Sequence, residues 1–317
     1  MNGSEAAHGV SVVIIAQDEE SNIADCLRSV CWAAQVVVVD GGSRDRTAEI
    51  AASLGAEVHH NAWPGFSVQR DLAISLATQE WVLALDADER VPAALAEEIV
   101  RVASAGESEQ KKNGYVVLRD TYFLGRHMKH GGWGERPVLR LFRRHHGWAD
   151  GRIVHEGIVV DGAVGELTQH LVHYSHASLH DYMQNMNRCT SLEAQEALLL
   201  GLRSTWLPPF GPLLRVARRW YRSDRSYNTA YLLFKDELKN RVEWLPLQPF
   251  APLLRFFQMY ILQRGFLDGR HGLYLALLSA TYVFVKRVKL WELRHATPWL
   301  ALPAAVETTS KEEIPAL

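Results

Sequence analysis

An α/β fold of the Rossmann-like kind is predicted by three observations. Short β-rich runs at 10–15, 35–40, 56–60 and 81–86 alternate with helical patterns near 21–30, 45–54 and 66–77. Three of the four runs finish in polar, acidic clusters. From residue 178 onward the pattern turns helical, and from 201 it is basic. Strand and helix in alternation with short connections call for a parallel sheet covered on both faces, because parallel neighbours need a crossover between them.

The first run, Val10 to Ile15, is wholly apolar apart from Ser11, as a strand buried on both faces should be. It ends in Ala16-Gln17-Asp18-Glu19-Glu20. A dinucleotide site would need glycines at this first turn so that the backbone could approach a pyrophosphate. Three anionic side chains would repel phosphate there and instead offer hydrogen-bond acceptors to a nucleobase or ribose. The second run, Val36-Val37-Val38-Val39, ends in Asp40, whose carboxylate could accept from a base N–H, with Gly41-Gly42 permitting a tight turn. Ser43 and Asp45 open the next helix, where capping competes with a ligand role. The fourth run, Trp81-Val82-Leu83-Ala84-Leu85, ends in Asp86-Ala87-Asp88. Two carboxylates one residue apart at a strand end can share a divalent cation of the Mg²⁺ or Mn²⁺ type. An ordinary acidic turn before a helix is the alternative. Ligands of open α/β sheets bind outside the carboxyl ends of the strands, so the three clusters should converge on one cleft.

Beyond a linker-like stretch at 104–113, strand-like segments return at 115–119 and 138–142, followed by a Gly/His/Arg-rich region through residue 160. A helix is expected from 178 to 202, ending before Pro208-Pro209. Residues 1–176 are thus expected to form one domain in two halves, about 10–103 and 114–176. Residues 177–300 should form a helical region and 301–317 a disordered tail.

The chain has 317 residues, 48% apolar and 22% charged, which is a globular composition. Its net charge of −2 hides an asymmetry: residues 1–200 hold 17 Lys and Arg against 27 Asp and Glu, whereas residues 201–295 hold 16 against 6. A basic amphipathic helix is expected at 213–221, with Arg215, Arg218, Arg219 and Arg222 among Leu214, Val216, Trp220 and Tyr221. Apolar stretches at 250–262 and 273–285 are flanked by Arg264, Arg270, Lys286, Arg287 and Lys289. Neither reaches the roughly 20 apolar residues that span a bilayer. Monotopic attachment to an anionic membrane surface is the expectation, with helical packing on the core or a second subunit as the alternative. The acidic first half and the absence of a recognised motif argue against nucleic acid. No basic and apolar leader opens the chain, and Cys26, Cys31 and Cys189 form neither a zinc nor a disulfide spacing, so the cytoplasm is the expected compartment.

The segments 11–20, Val36 to Thr47, Gln69-Arg70 and Leu85-Asp86-Ala87-Asp88-Glu89-Arg90 together resemble family 2 glycosyltransferases of the GT-A fold. The resemblance implies a nucleotide-diphospho-sugar donor held by Ala16, Gln17, Asp18, Glu19, Asp40, Gly41, Ser43, Asp45, Arg70 and Asp86-Ala87-Asp88. It makes Asp40 the base-recognising aspartate, places Arg70 near the diphosphate, and gives the metal to Asp86 and Asp88. Tyr122-Phe123-Leu124-Gly125-Arg126, Gly132-Trp133, Leu139 to Arg143, Val154-His155-Glu156 and the segments 252–257 and 264–269 are similar to lipopolysaccharide core glycosyltransferases that use nucleotide-activated hexoses. That likeness implies a hexose, glucose first, from UDP, and an acceptor on the inner core of a lipopolysaccharide or lipooligosaccharide at the cytoplasmic face of the inner membrane. In one departure, Glu135 stands where an aspartate is expected after the Gly-Trp pair.

Transfer needs a base for the acceptor hydroxyl. Glu156 and Glu135 are both candidates. His155 could add a metal ligand, Trp133 could stack on a sugar, and Arg136 or Arg140 could assist the phosphate charge. The remaining histidines are irregularly spaced and suggest no metal. A polyprenyl-phosphate glycosyltransferase, a sugar nucleotidyltransferase and a non-catalytic lipid-binding scaffold are the rival readings.

Overall fold

The computed structural model describes residues 7–105, 112–152, 154, 156–199 and 250–295. The expected basic helix at 213–221 and the tail at 301–317 lie outside the described residues. The first half runs β1 (Ala7–Ala16), α1 (Ile23–Ser29), β2 (Ala33–Asp40), α2 (Thr47–Ser53), β3 (Glu57–His60), α3 (Phe66–Ser75) and β4 (Trp81–Asp86). The order β3-β2-β1-β4 is parallel throughout. Helices cover both faces. Val12, Ile14, Leu83 and Leu85 face one layer with Ile23, Leu27 and Leu95, while Val13, Val37, Val39, Val82 and Ala84 face the other with Ala73 and Ile74. Burial of each face explains why these strands are apolar without alternation.

The second half departs from a purely parallel sheet. After the short β5 (Glu89–Arg90) and α4 (Ala93–Ser104) come β6 (Gly114–Phe123), β7 (Arg126–His127), β8 (Arg136–Arg143), the hairpin of β9 (Gly147–Ala149) with β10 (Ile158–Val160), and β11 (Val164–His176). β8 inserts antiparallel between β4 and β6, and β11 then pairs parallel with β6 and antiparallel with β5. The segment around Leu124 is a two-residue hairpin between β6 and β7, with φ of 48° at Leu124 and 77° at Gly125. Turns of this handedness match the strand twist, and glycine takes the second position without strain.

The 13-residue strand β11 was not expected from the sequence. Its polar residues, His170, His173 and His176 among them, mask the alternation of a half-buried strand. Leu167 and Leu171 mark its buried face.

The helical region consists of α5 (Leu179–Leu199), α6 (Ala251–Phe257), a π-helical turn Gln258–Leu262, a 3-10 turn Gly265–Asp268 and α7 (Gly269–His295). It shares a core with the sheet: Tyr182, Met186, Met259, Leu275 and Ala276 pack with Phe123 and Met128. The junction is polar as well. Asp268, 3% exposed, accepts the backbone N–H groups of Lys129 and His130 and lies 3.0 Å from His130 Nδ1. Gly265 lies against Gly131, and a side chain on Gly272 would collide with the Gly265 carbonyl. These contacts account for the segment Arg264-Gly265-Phe266-Leu267-Asp268-Gly269. Asp268→Asn places an amide against two backbone donors and should cost about 2 kcal/mol, read as a lowered thermal midpoint.

Two of the cations expected to face lipid are engaged within the protein. Lys289 donates to the Asn187 carbonyl and side chain, Thr190 and Ser191, while Lys286 pairs with Glu193 at 3.0 Å. They fasten α7 to α5, because a half-buried ammonium needs nearby acceptors. No described helix is long and apolar enough to cross a membrane.

Candidate active site

Register alone aligns the strand ends. Ala16 is opposite Asp40 and Ile15 is opposite Asp86, so the carboxyl ends of β1, β2 and β4 open side by side. The loop after β1 and the loop after β2 are then laced together. Ser43 Oγ accepts the Asp18 N–H at 2.9 Å, Asp18 accepts the Arg44 N–H at 2.7 Å, Thr47 Oγ1 accepts the Glu19 N–H at 2.7 Å, and Asp45 accepts the Glu20 N–H at 3.0 Å. Asp45 also takes the Thr47 N–H and hydroxyl, so it braces the first turn of α2 from one residue ahead of the N-cap Arg46. Its carboxyl sits below the usual range: burial opposes this, but hydrogen bonds from Thr47 and Glu20 prevail.

Asp40 is 2% exposed and also organises its own turn. It accepts the Gly42 and Ser43 N–H groups and the Ser43 hydroxyl, with His60 Nδ1 at 3.2 Å. Its expected role as a free acceptor for a base is therefore shared with the turn, leaving only lone pairs that these donors do not use. Gly41 is fixed by sterics, since a Cβ there would come within 2.3 Å of the Trp63 ring. Ala16 accepts the Gly41 N–H, Gln17 donates to the Gly41 carbonyl, and Ala87 is buried beside them in the core. Trp63, over which Arg188 of α5 lies at 4.8 Å, was not singled out from the sequence. A lone tryptophan in a loop carries no signal until the glycine opposite it is placed.

The densest charge network surrounds Asp86. Arg70, fully buried on α3, donates to the Leu85 carbonyl at 2.6 Å and to Asp86 Oδ1, and lies 3.2 Å from Glu156 Oε1. Arg140 of β8 donates to Asp86 Oδ2 and to Glu89, which also pairs with Arg119 at 3.3 Å. Burial alone would raise the Asp86 pKa, but Arg140, Arg70 and Arg119 hold the carboxyl far below the ordinary range. The three guanidinium Nε groups have no acceptor. Buried N–H groups left unspent beside a cleft suit an anion with several oxygens.

Asp88 has different company. His173 Nε2 lies 3.1 Å from its Oδ2, and the other ring nitrogen, Nδ1, is buried without a partner. Burial, and then the charge of Asp88, push the Glu19 carboxyl up to about 7, with Asp86 and Asp45 contributing. Imidazole, carboxylates and an uncompensated negative charge fit a divalent cation on the Asp88 side. His173 was missed because its strand was missed. His155, the sequence candidate for this role, lies outside the described residues.

Glu19 makes a pH prediction. Between pH about 4.5 and 7 the folded chain keeps a proton that the unfolded chain has released, so stability falls as pH rises through that window. Thermal unfolding without divalent metal should show this slope in the native protein and a flatter one in Glu19→Gln.

The two base candidates separate. Glu156 touches the guanidinium that holds Asp86, and burial raises its pKa against the pull of Arg70. Glu135 is exposed and sits instead with Asp120 and His170. Arg119 and Asp120 are neighbours on β6 and point to opposite faces; Arg119 joins the Asp86 network, and Asp120 joins Glu135. Trp133 packs its ring edge-on to Phe123 at 5.8 Å, so part of its surface is spent on the core. Arg136 donates to the Gly132 carbonyl at 2.6 Å and closes the loop that carries them.

Residues 11–146 match the family described as Glycosyl transferase family 2. This stretch is a family 2 glycosyltransferase domain. Its likeness to the lipopolysaccharide core biosynthesis glycosyltransferase LpsC of Rhizobium meliloti, 28% identical, covers 90% of this chain and 93% of that one. A glycosyltransferase of Rickettsia typhi is 27% identical over 61% of this chain and 69% of its own length. Among solved structures, glucosyl-3-phosphoglycerate synthase from Mycobacterium tuberculosis, crystallised with Mn²⁺, UDP and glucosyl-3-phosphoglycerate, shares 19% identity over 66% of this chain and 84% of that one, at a TM-score of 0.37. The sequence matches carry the assignment as a glycosyltransferase. The mixed sheet, with its acidic strand ends, is the Rossmann-like scaffold of this glycosyltransferase.

Proposed function

We propose that this family 2 glycosyltransferase moves a hexose, glucose first among them, from a UDP-sugar to a saccharide on a membrane lipid, an inner-core residue of lipopolysaccharide or lipooligosaccharide, with inversion. One observation carries the chemistry: a single buried guanidinium, Arg70, touches both Asp86 and Glu156. A diphosphate-side carboxylate and a base candidate therefore share one place.

The acceptor oxygen attacks the anomeric carbon, the bond from that carbon to the diphosphate oxygen breaks, and the hydroxyl proton passes to the Glu156 carboxylate. Arg70 and Arg140 supply donors to the departing diphosphate. A divalent cation, Mg²⁺ or Mn²⁺, supplies Lewis-acid stabilisation of that charge when bound. Asp88 and His173 would hold it, with Asp86 adding whatever lone pairs its two arginines leave open.

The acceptor class is supported by the end-to-end similarity to LpsC. Exposed Phe250, Leu253, Phe257, Leu262, Phe266 and Leu267 beside exposed Arg264 and Arg270 support monotopic docking on an anionic membrane, at its cytoplasmic face.

The test is transfer of radiolabelled glucose from UDP-glucose to lipooligosaccharide lacking its core hexose. Asp88→Asn should lower turnover at least ~100-fold, as losing several kcal/mol of charge stabilisation implies. Absence of transfer from every nucleotide sugar tried, with Mn²⁺ present, would sink the reading. Transfer to a polyprenyl phosphate instead would replace the acceptor.

A further inference from the structure

On the face of the sheet turned away from the Asp86 network, the described residues bring together a second set of metal-type donors. Asp120 of β6, Glu135 just before β8 and His170 of β11 each place one donor atom within 4.8 Å of the others. His127, on β7, approaches this trio from the Asp120 side. Its Nε2 lies 3.5 Å from the same Asp120 Oδ1 that is 3.1 Å from His170 Nδ1. Four ligands around a tetrahedral Zn²⁺, with bonds of about 2.0–2.1 Å, stand roughly 3.3 Å apart. The spacings on Asp120 are already of that size.

The His127 ring is held in place by stacking on Tyr122, with centroids 5.1 Å apart and planes 18° from parallel. Its Nε2 is nevertheless buried with no hydrogen-bond partner. A buried imidazole nitrogen aimed at a carboxylate but bonded to nothing is costly to leave so. A metal ion would use its lone pair and would let Asp120 serve both histidines at once.

We propose that Asp120, Glu135, His127 and His170 form a binding site for a transition-metal ion of the Zn²⁺ class, separate from the cation site at Asp88. Two imidazoles with two carboxylates suit Zn²⁺ better than Mg²⁺ or Ca²⁺, which favour all-oxygen sets. Its place in the fold defines its work. It ties β6, β7 and β11 to the loop at 131–135, which packs through Gly131 on Gly265 of the helical region. The site does not depend on which donor sugar or acceptor the enzyme uses.

The experiment removes metal from the full chain with a chelator and titrates it with Zn²⁺, then with Co²⁺, in an Asp88→Asn background that disables the other site. One ion per chain is expected, with visible Co²⁺ absorption of an imidazole-ligated centre and a higher thermal midpoint. Adding His170→Gln or Glu135→Gln should weaken binding at least ~10-fold. Glu135 is exposed, so its replacement tests the site without threatening the fold. An Asp88→Asn protein that takes up no ion, or one whose ion is indifferent to both further changes, would overturn the proposal.

Discussion

Replacing Glu156 by glutamine is expected to slow sugar transfer by about 10²–10⁴, the range a positioned general base contributes. The amide keeps the shape of the side chain and can still accept from Arg70, so donor binding should survive. Loss of kcat with an unchanged Kd for UDP-sugar is therefore the expected signature. Native activity should also rise with pH through a point above the ordinary glutamate range, because burial favours the protonated form of Glu156 and only the carboxylate can take the proton. Its acid limb should vanish in the variant. Unchanged turnover would mean that the acceptor needs no base, as an already ionised phosphate would not, and would favour the polyprenyl-phosphate reading.

Arg70→Ala is expected to have the largest effect on stability. Arg70 has no exposed surface, and its guanidinium joins the Leu85 carbonyl, Asp86 and Glu156. Removing one partner of a buried ion pair leaves the other charged and uncompensated, at a cost of about 3–5 kcal/mol. Arg140 still holds Asp86, which places the expectation at the low end, about 3 kcal/mol. Denaturant midpoints of the folded variant would measure it. A loss below about 0.5 kcal/mol, the usual size for an unspecialised surface change, would show that the network contributes no net stability. Arg70→Lys should recover part of the loss, since an ammonium can reach one carboxylate but cannot span two with a rigid fork.

Much of the first half was legible because burial on both faces of a parallel sheet writes itself as runs of valine, isoleucine and leucine. The strand at 81–86 and the ends of the runs at Asp40 and Asp86 fall where the alternation placed them. Several functional assignments within those clusters were less legible. Asp45 accepts backbone N–H groups as the competing capping reading allowed, whereas Asp40, read as an acceptor for a base, also spends capacity on its own turn, which one-dimensional spacing does not reveal. Arg70, which the family resemblance placed near the diphosphate, is fully buried, a burial that its position on a helix does not reveal. In the second half, β11 was hidden by its histidines, and with it the meeting of His173 with Asp88 and of His170 with Asp120. Glu156 meets Arg70 of α3 while Glu135 meets Asp120 and His170, a separation that spacing along the chain does not encode.

The sequence by itself determined the fold class, the cleft at the strand ends and the glycosyltransferase resemblance of the first half, because hydrophobic periodicity and short acidic turns are local properties. Only the tertiary structure decided which charges meet. β8 and β11 bring arginines, carboxylates and histidines from far along the chain to within hydrogen-bonding distance, and pairing across a sheet depends on register, which neighbouring residues do not encode.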